Sequence, residues 1–370
     1  MKKSKLLSGL LACTVLISSL LIGCGDKKAT SQKASADKKE IKVGFLYVGP
    51  IGDGGWTYSH NEGRLYLEKE LKVPTIYKES VKEDTAEVQK VTEDMINQGC
   101  NVIVGTSFGF MDGLEKEAKK HPEVKFLHCS GYKTSENMST YFGRIYQARY
   151  LSGIVAGMKT KTNKIGYVAA FSIPEVVRGI NAFTLGVQSV NPNAKVMVKW
   201  TNTWYDPAKE KEAGKALLAE GVDVITQHQD TAGPQQAAEE KGAFSIGYNT
   251  DMKDKAPKAY MTAPIWNWGP YYVDQVKAIQ QGTWKSESYW KGLETGIVDL
   301  AELTPNAPAG AKEAVEKAKK DIISGKNKIF VGPIKDQKGN IKVEDGKVMT
   351  DEELLKVYFF PFYHLFNYLF

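Results

Sequence analysis

Aromatic and acidic side chains follow the predicted strands of this sequence at the points where a ligand would be expected. Trp56, Phe108 and Trp204 each come shortly after a short apolar run, and Asp230 and Asp251 close two further runs. In an open α/β sheet, ligands bind at the edge where the carboxyl ends of the strands meet. Flat rings offer contact surface, and carboxylates accept hydrogen bonds from ligand N–H groups. These five residues are therefore candidates for a binding site.

Several of these candidates also have a structural interpretation, which the sequence leaves open. Phe108 is equally consistent with a core position between the small residues around it. Asp230 precedes a predicted helix by a few residues and is also suited to cap it. Asp251 is a candidate acceptor on the same grounds as Asp230. Trp204 is favoured as a ligand wall, because the nearby Asp206 is the residue expected to cap the next helix.

Three more candidates come from predicted helices. Arg178 lies in the first turns of a helix, where the helix dipole disfavours a cation, so it is predicted to pair with a cleft carboxylate or with the ligand. Asn267 and Trp268 open another helix, which carries more aromatic residues than one helical face can hold. Some of these aromatics must face the cleft, and Trp268 is the one favoured.

The motifs of common enzymes and cofactor sites are missing from the sequence. The turn at 52–55 reads Gly-Asp-Gly-Gly, which differs from the dinucleotide fingerprint Gly-x-Gly-x-x-Gly and from the phosphate-binding loop. There is no nucleophile motif, and the five histidines lack metal-ligand spacing. We therefore expect no enzyme activity, no metal and no cofactor.

The charge and the cysteines narrow the classes of function further. The formal net charge is +6, and lysine and glutamate are interspersed along the predicted helices, so no nucleic-acid partner is indicated. Beyond residue 24 the only cysteines are Cys100 and Cys129. The strand rise separates them by about 16 Å, whereas a disulfide needs Cα atoms within about 7 Å. Both are predicted to be free and buried.

Residues 1–24 have the pattern of an exported lipoprotein. Three lysines precede an apolar stretch at 6–20, and Leu-Ile-Gly-Cys at 21–24 fits a lipoprotein processing site. Cleavage would remove residues 1–23 as a signal peptide and leave Cys24 as the acylated N-terminus. The small and polar residues 24–40 are predicted to form a flexible tether. This pattern predicts a lipid-anchored protein on the outer side of the cell membrane.

Alternating strands and helices must position the candidate residues. Strands are predicted at 41–48, 75–77, 101–105, 124–128, near 140, 164–170, 195–200, 222–227, 292–300 and 328–331. Helices are predicted at 56–71, 84–98, 112–121, 146–158, 174–190, 207–220, 233–241, 266–281 and 309–324. Two consecutive βαβ series of this kind predict an α/β fold with two doubly wound, Rossmann-like lobes.

Five motifs of the sequence resemble those of one family. They are Gly-Asp-Gly-Gly-Trp-Thr at 52–57, Thr-Ser-Phe-Gly-Phe-Met-Asp at 106–112, Ile-Pro-Glu-Val-Val-Arg-Gly-Ile-Asn-Ala-Phe at 173–183, Asn-Thr-Trp-Tyr-Asp-Pro at 202–207 and Asn-Trp-Gly-Pro-Tyr-Tyr at 267–272. Taken together, they resemble the basic membrane lipoprotein family of ABC transporter substrate-binding proteins, which includes purine nucleoside receptors. The resemblance covers roughly residues 41–331.

The resemblance implies a type I periplasmic binding protein, in which two lobes close on a ligand about a hinge that the chain crosses three times. The first lobe is expected at 41–145 with 268–300, and the second at 146–267 with 311–334. A purine-type ligand, an ABC transporter permease as partner and a monomer are also implied. The apolar end of the chain departs from the family's polar endings, so 335–370 is predicted to be a peripheral tail.

Departures from the nucleoside-binding members of the family favour a free base as ligand. In those members, the segment that resembles 247–251 carries an additional acidic residue, and the segment that resembles 263–267 carries a lysine. Both charged groups are suited to bind ribose hydroxyls. Here Asn249 replaces the acid, no lysine is present, and Trp266 and Trp268 are expected to fill the space of a sugar. An adenine-like base is favoured. A nucleoside receptor, a sensor acting through a partner protein and a nucleoside-cleaving enzyme are the alternatives.

Overall fold

The computed structural model describes residues 40–359 of the chain. The predicted signal peptide at 1–23, the lipidation site Cys24 and the tether except its last residue lie outside the described residues, as does the end of the chain at 360–370. Within the described range, no helix is both long enough and apolar enough to cross a membrane.

Ten α-helices form in the described part of the chain. They are α1 (Trp56–Leu71), α2 (Thr85–Asn97), α3 (Met111–Lys120), α4 (Ile145–Lys159), α5 (Pro174–Val190), α6 (Pro207–Ala219), α7 (Gly233–Lys241), α8 (Trp268–Gln280), α9 (Ala311–Ile323) and α10 (Asp351–Leu355). Asp84 caps α2 by accepting hydrogen bonds from the N–H groups of Ala86 and Glu87. Asp206 caps α6 by accepting from the N–H of Lys209, which confirms the predicted cap.

Two parallel sheets contain most of the strands. The strands are β1 (Val43–Leu46), β2 (Thr75–Lys78), β3 (Val102–Gly105), β4 (Lys125–Cys129), β5 (Met138–Gly143), β6 (Lys164–Ala169), β7 (Lys195–Trp200), β8 (Val224–His228), β9 (Phe244–Ile246), β10 (Tyr260–Thr262), β11 (Pro264–Trp266), β12 (Ser288–Lys291), β13 (Val298–Leu300), β14 (Ile334–Lys335) and β15 (Ile341–Val343). One sheet has the order β12-β5-β4-β3-β1-β2 and the other β10-β9-β8-β6-β7. Neighbouring strands in both sheets run parallel.

The two sheets define two lobes with the same strand order. In each lobe the first strand lies between the second and the third, so the order reverses beside β1 and beside β6. Helix α8 packs on α1 of the first lobe, and α9 packs on α4 of the second. The antiparallel pair β11 and β13 forms a separate two-stranded sheet. The predicted α/β fold with two doubly wound lobes is confirmed.

Apolar side chains cover both faces of each parallel sheet. Phe45 and Leu46 are neighbours on β1, but Phe45 belongs to the largest apolar cluster and Leu46 to a separate one. In the second lobe Ala169 on β6 belongs to the largest cluster and Val168 to a third. Successive side chains of a strand point to opposite faces. Each sheet is therefore buried on both sides, as expected for parallel sheets covered by helices.

Three predicted elements were wrong in their bounds or did not form. Of the strand expected at 292–300 only the last three residues form a strand, β13, because the chain turns at Gly296 with a φ of 74°; β12 ends at Lys291, before the predicted range. The helix expected from 266 begins two residues later, since Trp266 belongs to β11. At 328–331 the chain turns through Ile329, which has a φ of 61°, and Val331 makes only an isolated bridge.

Cys100 and Cys129 are free and buried, as their positions predicted. Cys129 is the last residue of β4. Burial raises the pKa of the Cys100 thiol to about 11 and that of the Cys129 thiol well above its usual value. Both thiols therefore stay protonated at neutral pH and behave as small apolar groups.

Residues 335–359 pack on the fold, so the prediction of a peripheral tail was wrong for this part. Leu354 is buried in the largest apolar cluster. Asp351 makes a two-pronged ion pair with Arg144, with distances of 2.7 and 2.6 Å. Arg178 donates a hydrogen bond to the Leu354 carbonyl oxygen at 2.9 Å. The ion pair joins residues that are 207 positions apart in the sequence, and the hydrogen bond joins residues that are 176 positions apart. No local sequence pattern reveals such contacts.

Candidate ligand-binding site

A cavity lies between the two lobes at the carboxyl ends of their strands. It holds about 380 Å³ of empty space, part of which is open to solvent. Residues of both lobes line it: Val48, Trp56, Ser107, Phe108, Ser130, Glu175, Trp204, His228, Asp230 and Tyr248. Small-molecule sites of α/β proteins lie preferentially at this edge of the sheets, so the position of the cavity agrees with a small-ligand site.

The strand order explains why these residues meet. In each sheet the order reverses between the first and third strands, and a crevice opens at that point. Residues after β1 and β3 form the first lobe's wall, and residues after β6 and β8 form part of the second. A hydrogen bond joins the segments that follow β1 and β3: the indole Nε1 of Trp56 donates to the Thr106 carbonyl oxygen at 2.8 Å.

Other aromatic rings hold Trp56 in place. Trp266 and Trp268 contact its ring edge to face, with centroid distances of 5.7 and 5.8 Å. These two rings stack on each other at 4.4 Å, and Trp268 also stacks on His60 at 4.6 Å. The Trp268 indole donates to the Ser59 hydroxyl at 3.2 Å. Of these three tryptophans, Trp56 alone lines the cavity.

Asp53 fixes the glycine-rich turn that leads into Trp56. Its carboxylate accepts hydrogen bonds from the N–H groups of Gly55 at 2.8 Å, Thr57 at 2.8 Å and Tyr58 at 3.0 Å. These bonds satisfy donors at the start of α1 that have no partner within the helix. Burial nevertheless raises the pKa of Asp53 to about 6, because desolvation outweighs the three hydrogen bonds.

Phe108 begins a short 3-10 helix, Phe108–Phe110, that follows β3. The Glu83 carboxylate holds this segment by accepting hydrogen bonds from the Ser107 hydroxyl and from the Gly109 N–H, the latter at 3.1 Å. The Phe108 side chain stays 40% exposed and lines the cavity. This position agrees with a ligand wall and not with the alternative of a core residue.

Trp204 contributes an aromatic surface from the second lobe. It lies in the loop between β7 and α6, and its ring contacts Phe171 and His228 at centroid distances of 5.0 and 6.2 Å. Trp56 and Phe108 line the same cavity from the first lobe. Aromatic faces from both lobes give the cavity the means to contact a flat ligand.

Asp230 is the more deeply buried of the two carboxylates that line the cavity. It accepts a hydrogen bond from the Asn249 side-chain amide at 3.2 Å, and the Asn249 oxygen accepts one from the Trp266 indole at 3.0 Å. Burial, and then the charges of Asp53 and Glu210, raise the pKa of Asp230 well above its usual value. A ligand that donates N–H groups would compensate this poorly stabilised carboxylate.

Glu175, His228 and Tyr248 line the cavity, although the sequence did not single them out. Glu175 lies in the first turn of α5, with its Oε1 atom 3.5 Å from Nε2 of His228. The Tyr248 hydroxyl lies 3.4 Å from the same nitrogen. Burial lowers the pKa of His228 to about 4, so the ring is neutral at pH 7. The remaining lining residues that were missed are Val48, Ser107 and Ser130.

Two contacts join the lobes across the cleft. The Thr250 hydroxyl donates to the Gly54 carbonyl oxygen at 2.6 Å. Gly55 lies so close to the backbone of Asp230 that a Cβ atom on it would sit 2.1 Å from the Asp230 carbonyl oxygen. The lobes are therefore closed in this structure, and the closed arrangement requires glycine at position 55.

Arg178 and Trp268 were predicted to face the ligand but do not line the cavity. The guanidinium of Arg178 is buried, and its hydrogen-bond acceptor is the backbone oxygen of Leu354 described above. The charge of Glu175 still acts on it and raises its pKa, although burial lowers that pKa by more. Trp268 is only 1% exposed and belongs to the aromatic stack behind Trp56.

Asp251 and Asn267 also lie outside the cavity. The Asp251 carboxylate is exposed and lies 3.3 Å from the Lys253 ammonium. Asn267 is exposed at the residue before α8, where its side chain makes no capping hydrogen bond. The structure thus gathers Trp56, Phe108, Trp204 and Asp230 of the predicted residues and leaves out the other four.

A cluster outside the cavity offers atoms of the kind that bind metals. Glu93, Glu117 and His121 each place one such atom within 4.8 Å of the others. Spacing along the sequence did not predict this cluster, because Glu93 comes from α2 and the other two residues lie in or just after α3. The Lys120 ammonium is 2.6 Å from the Glu93 carboxylate, so part of the negative charge is already compensated.

The family follows from comparison with known proteins. Residues 40–330 match the family model Bmp, described as ABC transporter substrate-binding protein PnrA-like. The chain belongs to the Bmp family.

Three similar proteins put this Bmp protein in context. A purine-binding protein of Brucella abortus is 44% identical over 329 residues, which cover 88% of this chain and 93% of that protein. A provisional ABC transporter glucose-binding protein of Haloferax volcanii is 38% identical over 309 residues, which cover 83% and 78%. A solved solute-binding protein of an ABC transporter from Conexibacter woesei has a TM-score of 0.64 over 78% of this chain and 97% of that chain. At 21% identity it supports the fold alone.

Membership of the Bmp family establishes the general role of this chain. It is a substrate-binding protein of an ABC transporter and not an enzyme. Such a role implies a small-molecule ligand and a permease as partner. The resemblance inferred from the five sequence motifs is confirmed.

Proposed function

We propose that this Bmp protein is a lipid-anchored receptor that closes its two lobes on a free purine base and delivers it to a permease. The observation that carries the proposal is the cavity between the lobes. It combines aromatic rings from both lobes with two carboxylates, Asp230 after β8 and Glu175 in the first turn of α5. Aromatic rings contact the faces of a flat heterocycle, and carboxylates accept hydrogen bonds from its N–H groups.

The energy that such a cavity offers is sufficient for a ligand as small as a base. Micromolar affinity corresponds to about −8 kcal/mol. A base of about ten heavy atoms reaches this value below the ceiling of roughly 1.5 kcal/mol per atom. Stacking on each aromatic ring contributes about 1–3 kcal/mol, so two rings and one carboxylate supply most of what is needed.

A free base fits the lining better than a nucleoside or a sugar. Neither Lys nor Arg is among the described residues that line the cavity. The Asn249 amide is already bonded at both ends, to Asp230 and to Trp266. Trp266 and Trp268 pack against the Trp56 ring and do not line the cavity. The free-base proposal therefore does not depend on their filling the space of a sugar. The name of the Brucella relative supports a purine, whereas that of the Haloferax relative favours glucose.

Calorimetry distinguishes these ligands. We expect adenine to bind the delipidated protein with a dissociation constant in the micromolar range or below, and adenosine, guanosine and glucose to bind at least about tenfold more weakly. Each titration uses protein from which bound ligand has been removed by unfolding and refolding. Tighter binding of a nucleoside than of every base would replace the free-base proposal by the nucleoside alternative, and binding of glucose alone would overturn the purine proposal.

The lipid anchor is the second part of the proposal. It rests on Leu-Ile-Gly-Cys at 21–24 behind a basic and apolar leader. We expect Cys24→Ala to move the protein from the membrane fraction to the soluble fraction or to stall its processing, with Cys100→Ala as the matched control. A mature native protein that retains residues 1–23, or whose Cys24 thiol is unmodified by mass spectrometry, would contradict the anchor.

A further inference from the structure

In the part of the chain that the structure describes, the charged side chains that line the cavity are all acceptors of hydrogen bonds. They are Asp230 and Glu175, and His228 beside them is neutral at pH 7 for the reason given above. The two carboxylates come from different elements of the second lobe, since Glu175 belongs to the first turn of α5 and Asp230 follows β8. A ligand oxygen placed there would face the lone pairs of the carboxylates and be repelled. A ligand N–H group placed there would donate a hydrogen bond to a carboxylate.

The two carboxylates differ in how firmly the protein holds them. Asp230 is buried, bonded to the Asn249 amide and in contact through its backbone with Gly55 of the other lobe. The Glu175 side chain is 15% exposed, and the nearest basic side-chain atom is His228 Nε2 at 3.5 Å, beyond ordinary hydrogen-bond length. Glu175 is therefore the carboxylate that has acceptor capacity left for a substituent of the ligand.

Purine bases differ in the substituent at carbon 6, which is the group that we expect a second carboxylate to contact. Every free base carries a ring N–H in its five-membered ring, but the substituent at carbon 6 is an amino group in some bases and a carbonyl oxygen in others. An amino group donates two hydrogen bonds and a carbonyl oxygen only accepts. A site built to bond one of them rejects the other strongly, because its buried groups are left unpaired.

We propose that Glu175 is the residue that selects 6-aminopurines over 6-oxopurines. This inference rests on the proposed function and extends it: Asp230 accepts the ring N–H that all free bases share, and Glu175 accepts the exocyclic amino group. The carboxylate of Glu175 repels the carbonyl oxygen of hypoxanthine and bonds the amino group of adenine. Replacing Glu175 by glutamine supplies an N–H₂ donor of the same shape, which bonds that oxygen.

Calorimetry of adenine and hypoxanthine with Glu175→Gln tests the assignment. In the unmodified protein we expect adenine to bind on the order of 10- to 100-fold more tightly than hypoxanthine. In Glu175→Gln we expect this ratio to fall by about tenfold or more, through weaker adenine binding and stronger hypoxanthine binding. The control is Glu316→Gln, an exposed glutamate on α9, for which the ratio should stay within about twofold.

The outcomes separate this inference from the proposed function. Failure of every purine to bind the unmodified protein would overturn the proposed function and this inference with it. Purine binding with a ratio that Glu175→Gln leaves within about twofold would overturn the role of Glu175 and leave the receptor function intact. If Asp230→Asn, and not Glu175→Gln, changed the ratio of adenine to hypoxanthine affinity, the roles assigned to the two carboxylates would be contradicted. Tighter binding of nucleosides than of bases would contradict the role given to Asp230, because a nucleoside has no N–H in its five-membered ring.

Discussion

Replacing Asp230 by asparagine should weaken the binding of every free purine base by on the order of 100-fold, because an amide presents an N–H₂ group where the ligand needs an acceptor. The same change should raise the melting temperature of the free protein. Burial and the nearby Asp53 and Glu210 charges make the ionised form of Asp230 costly in the folded state, as its raised pKa indicates. A neutral amide of the same shape removes that cost. Calorimetry and thermal unfolding of one preparation measure both effects.

Asp251→Asn is the matched control for this experiment. Asp251 also follows a strand of the second lobe, but its carboxylate is exposed and outside the cavity. We expect the control to change purine affinity by less than about twofold, since surface changes away from a site have small effects. Unchanged affinity in Asp230→Asn would contradict the role of Asp230. A lowered melting temperature would show instead that the carboxylate stabilises the fold.

Gly55→Ala should prevent the lobes from closing and weaken ligand binding by on the order of 100-fold or more. A Cβ atom at this position would sit 2.1 Å from the carbonyl oxygen of Asp230 and 2.9 Å from its carbonyl carbon. Both are backbone atoms of the opposite lobe, so no side-chain rotation relieves the contact. The lobes can relieve it by moving apart, which separates the two walls of the cavity. Calorimetry measures the affinity, and small-angle X-ray scattering with and without ligand measures the closure.

The control for Gly55→Ala lies in the same turn. A Cβ atom on Gly52 would have nothing within 4 Å, so Gly52→Ala should bind ligand and close like the unmodified protein. Equal denaturant midpoints of the two variants would exclude loss of the fold as the cause of weak binding. Gly55→Ala protein that contracts on adding ligand and binds with unchanged affinity would contradict the closed arrangement of Gly55 against Asp230.

The sequence predicted the parts of the site that depend on the strand ends. Trp56, Phe108 and Asp230 follow β1, β3 and β8, whose carboxyl ends lie at the crevices of the two doubly wound sheets, so their position follows from topology. Trp204 follows β7, the neighbour of β6 in the second sheet. The competing interpretation of Asp230 as a helix cap is not supported, because α7 has no side-chain hydrogen bond at the residue before it, Ala232. Here the local pattern and the fold agree.

Glu175 and His228 were missed because their local patterns have other common explanations. An acidic residue in the first turn of a helix is favoured by the helix dipole, so Glu175 carries no separate signal of a ligand. His228 is the last residue of β8 and lies one position beyond the strand predicted at 222–227. Residues 227–230 are all polar, but this pattern does not indicate which of their side chains faces the cavity.

Arg178 and Trp268 were assigned to the cleft because their real partners are distant in sequence. Arg178 bonds to Leu354, 176 residues away, in a segment that composition alone suggested to be peripheral. Trp268 stacks between Trp266 and His60, and the sequence shows the excess of aromatic residues but not which of them face inward. Long-range packing of this kind is decided by tertiary contacts and not by periodicity.

A crystal structure of the protein with adenine tests the central claim most directly, namely that a purine base binds between the lobes. We predict that the base lies in the cavity among Trp56, Phe108 and Trp204, with the Asp230 carboxylate within about 3.2 Å of a ring nitrogen. The Glu175 carboxylate should lie at a similar distance from the exocyclic amino nitrogen. A base bound elsewhere on the protein, or in the cavity with neither carboxylate within hydrogen-bond distance, would contradict the account.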